Sequence, residues 1–214
     1  MGLSGRLAVL GFVLFMLCAC FSTGGGSGDP DDGSAVDDDM VDDDMDDDTD
    51  DDDNYIDCAD QDNLGYDEGD TMANFTLYDE EGNPQSLYDL CGHVVLLVSS
   101  TGWCPSCQYE AAHIVEDIYE PYHEQGLEIF YTLFEDANGN SPSQEYLQSY
   151  RDSYGLPFHV YNDQYGALFR YQDTYPLLYI PFNIVVDREM VVHYEGSGYS
   201  VGVIKSFIEA LLDE

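Results

Sequence analysis

Positive charge is scarce in this chain. Of 214 residues, five are basic (Arg6, Arg151, Arg170, Arg188 and a single lysine, Lys205), against forty-four aspartates and glutamates, and the formal net charge is −39. Such a surface repels phosphate, which excludes nucleic acid as a natural partner. Long apolar runs are lacking as well. The run at 7–17 has eleven residues, short of the ~20 that a mature membrane-spanning helix requires. The five histidines (His93, His113, His123, His159 and His193) are scattered. A single Cys-x-x-Cys without a second pair of Cys or His ligands does not make a zinc site. Calcium-loop spacing is missing from the aspartate run at 29–53, and in the frame that starts at Asp60 the twelfth position is Thr71 instead of glutamate. No internal repeat is visible, and neither a metal nor a cofactor is expected.

Composition divides the chain into three parts. Residues 1–19 read as an export signal, with Arg6 ahead of the apolar run. Leu17-Cys18-Ala19-Cys20 resembles a bacterial lipobox. That resemblance implies cleavage before Cys20, lipidation of its thiol and a protein anchored to a membrane, facing the periplasm or the cell exterior. A plain secretory signal is the alternative, and it exports the protein too. Residues 20–54 read as a disordered tether: a Gly/Ser-rich stretch is followed by a run with sixteen aspartates. Mutual repulsion and the shortage of apolar surface keep such a run solvated. Residues 55–214 have the length of a single domain. That domain carries a formal charge of about −24 by itself, and it resembles the lysine-poor, acid-rich surface of proteins that work in high salt.

Chemistry concentrates at Trp103-Cys104-Pro105-Ser106-Cys107. An apolar strand pattern at 93–99 precedes it and a helical pattern at 108–124 follows. Two thiols therefore sit where a buried strand gives way to a helix. The unpaired N–H groups and positive dipole end of a helix N-terminus stabilise a thiolate there. Pro105 suits the first helical turn, and Trp103 is placed to cover one side of the sulfur pair. Further along, Gly82 fits the tight turn of an N-terminal β-hairpin. Pro121 is expected to kink or end the first helix. Strands are expected at 127–134, 158–161, 182–187 and 190–194, and helices near 142–154, 165–171 and 201–212.

Strand, Trp-Cys-Pro-x-Cys and helix together resemble the thioredoxin superfamily, and more closely its exported TlpA/ResA-like thiol-disulfide oxidoreductases. The stretch 69–77 resembles the opening of TlpA-like and peroxiredoxin-like domains. The resemblance implies an α/β, thioredoxin-like fold: a central mixed β-sheet flanked by helices, with an N-terminal β-hairpin and a central helical insertion. It also implies roles. Cys104 is the nucleophile and Cys107 the resolving thiol that closes the redox disulfide. Pro181 stands where the family has a cis-proline facing the cysteines. Glu110 stands where ResA-like proteins keep a glutamate that tunes the thiols and can take the proton of Cys107. The expected activity is reduction of disulfides in exported proteins, apocytochrome c among them, with an upstream membrane electron donor.

Two other readings remain open at this stage. A peroxiredoxin-like peroxidase shares the fold, but its Pro-x-x-x-Thr/Ser-x-x-Cys pattern is not met at Cys104. A non-enzymatic surface module would keep the scaffold alone. Cys58 and Cys91 are left over from the Cys-x-x-Cys, and in an exported protein they are expected to form a structural disulfide.

Overall fold

The computed structural model describes Cys58, residues 63–172 and residues 177–214. The signal segment, the aspartate tether and Cys20 lie outside the described residues. Two short strands, β1 (Leu64–Gly65) and β2 (Thr71–Met72), pair in parallel at the start. Next come β3 (Thr76–Tyr78) and β4 (Pro84–Ser86), which form the antiparallel hairpin. Gly82 takes φ +87° in its turn. The Asp79 carboxylate accepts the backbone N–H groups of Glu81 and Asn83 at 2.8 Å each, so this aspartate closes the turn from within. A 3-10 turn at Leu87–Leu90 leads into β5 (Val94–Thr101).

All eight residues of β5 are buried. A strand without polar alternation is one covered on both faces, and β5 accordingly lies inside the sheet. It pairs in parallel with β6 (Leu127–Glu135) and antiparallel with β8 (Phe182–Val186). Beyond β6 lies β7 (Val160–Asn162), and beyond β8 lies β9 (Val192–Ser197). The seven-stranded mixed sheet has the order β4-β3-β7-β6-β5-β8-β9.

Helices complete the layers: α1 (Pro105–Ile114), the single turn α2 (Glu120–Tyr122), α3 (Gln144–Tyr154) and α4 (Val201–Leu212). Strand alternation then makes two cores. Val94, Leu96 and Val98 of β5 pack with Ala111 and Ile114 of α1, Leu147 of α3 and Ile204 and Ile208 of α4. Val95 and Leu97 face the other way, onto Met72, Leu77, Leu87, Phe130 and Ile184. Each such fully buried side chain contributes roughly 1.5–3 kcal/mol relative to exposure.

Two local expectations are corrected and a third is narrowed. Of the two outcomes expected at Pro121, a kink or an end, the end is excluded: the chain passes from α1 through a π-helical turn, Val115–Tyr119, into α2 and stops only at Gly126, φ +103°. The wider turn ahead of the proline accommodates its ring and its missing donor. The helix expected at 165–171 is only a 3-10 turn, Phe169–Tyr171. Gly166 lies at φ +67°, and the Asp163 carboxylate takes the N–H of Ala167 at 2.7 Å, so a tight turn uses the residues that a helix would need. The last hairpin strand begins at Val192 because Met190 adopts φ +66° and belongs to the turn.

Candidate active site

The thiol pair is positioned by an irregularity at the end of β5. Register with β6 slips between Ser100 and Thr101, and such a bulge bends a strand out of its ladder. Gly102 then passes so close to α3 and its preceding loop that a Cβ would sit 1.9 Å from the Tyr146 hydroxyl and 2.8 Å from the Ala137 backbone nitrogen. Only glycine fits there. Cys104 follows with extended backbone, φ −82° and ψ 119°, as the N-cap of α1, and Pro105 opens the helix. The Gln108 side chain donates to the Gly102 carbonyl at 2.7 Å and fastens the turn.

Cys104 and Cys107 are free thiols. The Cys107 N–H donates to Cys104 Sγ at 3.3 Å, so the capping atom of the helix is itself a reactive sulfur. Cys104 retains 6% exposure and Cys107 none. Burial, then the contact with Cys104, pushes the Cys107 thiol up to about 12. It therefore holds its proton at neutral pH, although the Thr101 backbone and the Ser100 side chain offset part of the effect.

The Ile180–Pro181 bond is cis. Cys104 Sγ lies 3.9 Å from the Ile180 carbonyl, its acceptor. Beside the first turn of α1, an open hollow of about 370 Å³ is lined by Pro105, Ser106, Tyr109, Gly198 and Tyr199. Tyr109, Tyr179 and Leu177 are exposed nearby in the chain. Trp103 is 47% exposed, and its indole N–H donates to the Glu135 carboxylate at 2.6 Å. The tryptophan is thus held toward the end of β6.

Glu110 lies one turn beyond Cys107 on α1 and is fully buried. Desolvation pushes its carboxyl up to about 8. Asn183 of β8 offsets a part of that shift, but its approach stops short of a formed hydrogen bond. The Asn183 amide donates instead to the Gly198 carbonyl at 3.4 Å. A carboxyl with this environment changes charge within the physiological range.

Cys58 and Cys91 are joined in a disulfide with Cα atoms 6.2 Å apart. They pack with the core on the Val95 and Leu97 face of the sheet. Two histidines sit against carboxylates: His159 meets Glu80 at 2.9 Å, and His193 meets Asp187 at 2.7 Å. Among the described residues no group of three or more His, Cys, Asp or Glu side chains is placed to hold a metal ion. Sequence reasoning missed Asn183. For Asn183 a signal existed, since it is the one polar residue in the buried strand Phe182–Val186.

The redoxin family matches residues 67–211. A thiol-disulfide oxidoreductase ResA of Halalkalibacterium halodurans is 30% identical over 147 residues, which cover 68% of this chain and 78% of that protein. The ResA of Bacillus anthracis is 29% identical over 121 residues, 56% of this chain and 64% of its own. Among solved structures, the thioredoxin domain of a thiol-disulfide oxidoreductase from Bacteroides vulgatus aligns with a TM-score of 0.53 at 18% identity, covering 68% of this chain and 99% of that one. A thioredoxin-family thiol:disulfide interchange protein from Chlorobium tepidum gives 0.53 at 18% identity, over 66% and 95%. The two structural likenesses show the shared thioredoxin fold. The chain belongs to the redoxin family and, within the thioredoxin superfamily, to the ResA-like thiol-disulfide oxidoreductase enzymes.

Proposed function

We propose that this enzyme is an exported lipoprotein, anchored through Cys20, that reduces disulfides in other exported proteins through Cys104 and Cys107. The observation that carries the reading is the thiol pair at the start of α1. One sulfur caps the helix beside the cis-Pro181 bond, and the other is buried one turn on. In the reduced enzyme Cys104 attacks one sulfur of a substrate disulfide. That S–S bond breaks, a mixed disulfide forms and the electron pair leaves on the second substrate sulfur, which takes up a proton. Cys107 then gives up its proton and attacks Cys104. The substrate departs as a dithiol, two electrons richer, and the enzyme holds the Cys104–Cys107 disulfide. A membrane electron donor restores the thiols.

Pro181 shapes the rim against which an extended substrate chain lies. Glu110 sets the pH dependence of the second step, since its carboxyl, raised to about 8, is a buried acid–base group one turn from Cys107 on the same helix. The aspartate tether holds the domain, 55–214, off the membrane. Proteins presented for thiol chemistry outside the cell, apocytochrome c among them, are the substrates this arrangement suits.

Trapping tests it. Cys107→Ser mixed with a disulfide substrate accumulates a covalent adduct seen by mass, because no thiol remains to release it, and Cys104→Ser forms none. An adduct with Cys104→Ser alone reverses the assignment. No adduct with either variant, together with an inert wild-type pair, leaves only a binding scaffold.

A further inference from the structure

The hollow beside the first turn of α1 is built by two parts of the chain that meet only in the fold. Pro105, Ser106 and Tyr109 come from α1, and Gly198 and Tyr199 from the loop between β9 and α4. That loop is fastened next to the cis-proline. The Gly198 N–H donates to the Pro181 carbonyl at 2.7 Å, and the Gly198 carbonyl accepts from the Asn183 amide at 3.4 Å. Tyr199 follows directly, and its ring meets that of Tyr109 edge to face, with centroids 6.4 Å apart. The Tyr199 hydroxyl donates to the Asp117 carboxylate at 3.1 Å. Asp117 belongs to the π-helical turn that follows α1, and such turns are frequent at functional sites. His113, one turn beyond Tyr109, stacks on the Tyr109 ring at 4.1 Å between centroids. Tyr109 is therefore braced, yet it stays 59% exposed.

Pro105 and Ser106 are the two residues that follow Cys104, so the hollow borders the attacking sulfur. A substrate chain advances by at most ~3.3–3.6 Å per residue, and a residue next to the attacked cysteine is in reach. Ring faces carry the negative part of the aromatic quadrupole and attract Lys or Arg, and the carboxylate bonded to Tyr199 adds to that attraction. The protein's own cations do not compete for the place. Arg151 is paired with Glu80, and Arg188 donates to the Leu211 carbonyl. Arg170 lies over the Tyr66 ring and Lys205 over the Tyr122 ring. A domain with a charge of about −24 also draws in cationic segments and repels anionic ones. We propose that this hollow is a subsite for a lysine or arginine side chain of the substrate, next to the cysteine that Cys104 attacks. The proposal deepens the reading of this protein as a disulfide reductase and rests on Cys104 being the attacking thiol.

Two contributions to such a preference separate cleanly. The field of the whole domain acts on a positive charge anywhere in the substrate segment, and salt screens it, since the Debye length is only ~3 Å at 1 M. Contact with the rings acts only on a side chain in the right place, and salt affects it less. Because the hollow is open, a long side chain lays its methylenes along the rings while its charged head stays hydrated, so little desolvation opposes the contact. An apolar side chain of the same length gains the ring contact alone, without the attraction of the quadrupole, of Asp117 or of the field. Tyr109, Tyr199 and Asp117 thus determine specificity and take no part in the exchange of sulfur bonds.

Two isomeric peptides test it. Both hold the same disulfide and the same net charge. One has lysine next to the attacked cysteine and norleucine at its far end, and the other has the two exchanged. Reduced full-length protein is mixed with each, and the second-order rate constant for loss of the peptide disulfide is followed by mass. The isomer with adjacent lysine is expected to react about threefold to tenfold faster, with most of that ratio kept from ~0.1 M to ~1 M sodium chloride. A third peptide with glutamate in place of the adjacent lysine should react more slowly than either and recover as salt rises. Tyr109→Leu and Asp117→Asn should each bring the ratio of the isomers toward one. Tyr165→Leu, at an exposed tyrosine that does not line the hollow, should keep the wild-type ratio. Equal rates for the two isomers, a faster norleucine isomer, or a ratio unchanged in Tyr109→Leu would overturn the subsite while disulfide reduction stands. If the wild-type protein reduces none of the peptides, the reductase reading and the subsite are both overturned.

Discussion

A glutamate sealed under the active site costs stability, and removing its charge should recover that stability in a pH-dependent way. Glu110 is fully buried, and desolvation raises its carboxyl from 4.5 to about 8. Between those two values the folded protein holds a proton that the unfolded chain has released. Stability therefore falls as pH rises through the window, and the full loss is present above the folded pKa. Each pH unit costs about 1.4 kcal/mol, which gives about 3 kcal/mol at pH 7 and about 5 kcal/mol above pH 8. Glu110→Gln keeps the shape and polarity and removes the ionisation. The variant should match the wild type near pH 4.5 and exceed it by about 3 kcal/mol at pH 7, which for a domain of this size is roughly 6–12 °C in melting temperature. Urea unfolding of both proteins at several pH values is the assay. The other carboxylates titrate in both chains, including Asp163, raised to about 6, and Glu80, lowered by its hydrogen bonds, so their contributions cancel in the difference. A gap that stays constant from pH 4.5 to 8.5, or a variant less stable than wild type at pH 7, would refute the argument.

Three further outcomes are expected. Replacing both Cys58 and Cys91 by serine opens a loop with a sequence separation of 33 and should cost roughly 3–4 kcal/mol in the loop-entropy account; unfolding midpoints equal to wild type would contradict it. Sodium chloride should raise the melting temperature well beyond 0.15 M, because the Debye length falls from ~10 Å at 0.1 M to ~3 Å at 1 M and screens the self-repulsion of an acid-rich domain; a flat response would show the charges to be too dispersed or too well paired to matter. Cys20→Ser should lose membrane recovery and detergent partitioning in a bacterial host, and equal recovery would dismiss the lipid anchor.

What could be read from the sequence was whatever is local. An unbroken apolar run, a Cys-x-x-Cys and a helical pattern are neighbours in the chain, so the strand, the capping Cys104 and the buried Cys107 follow from short-range rules. The tight turn at Gly82 and the limits of α4 follow in the same way. Segments whose conformation is decided by a side chain bonding its own backbone were harder: a helix was expected at 165–171, and the Asp163 carboxylate holds a turn instead. Hardest of all were properties that arise only when distant elements meet. Spacing places Glu110 on the Cys107 side of α1, yet what meets its carboxyl is Asn183 of β8, seventy or more residues later in the chain. Ser100, Tyr131 and Tyr150 read singly as a polar residue at a strand end, a strand tyrosine and a helix tyrosine. Only the sheet register, which sets Ser100 beside Leu133 on β6, two residues along the same face from Tyr131, makes a connected row of them. A reactive sulfur can be marked by its neighbours in sequence, whereas the burial that sets its protonation depends on neighbours in space, and single-residue patterns carry no record of those.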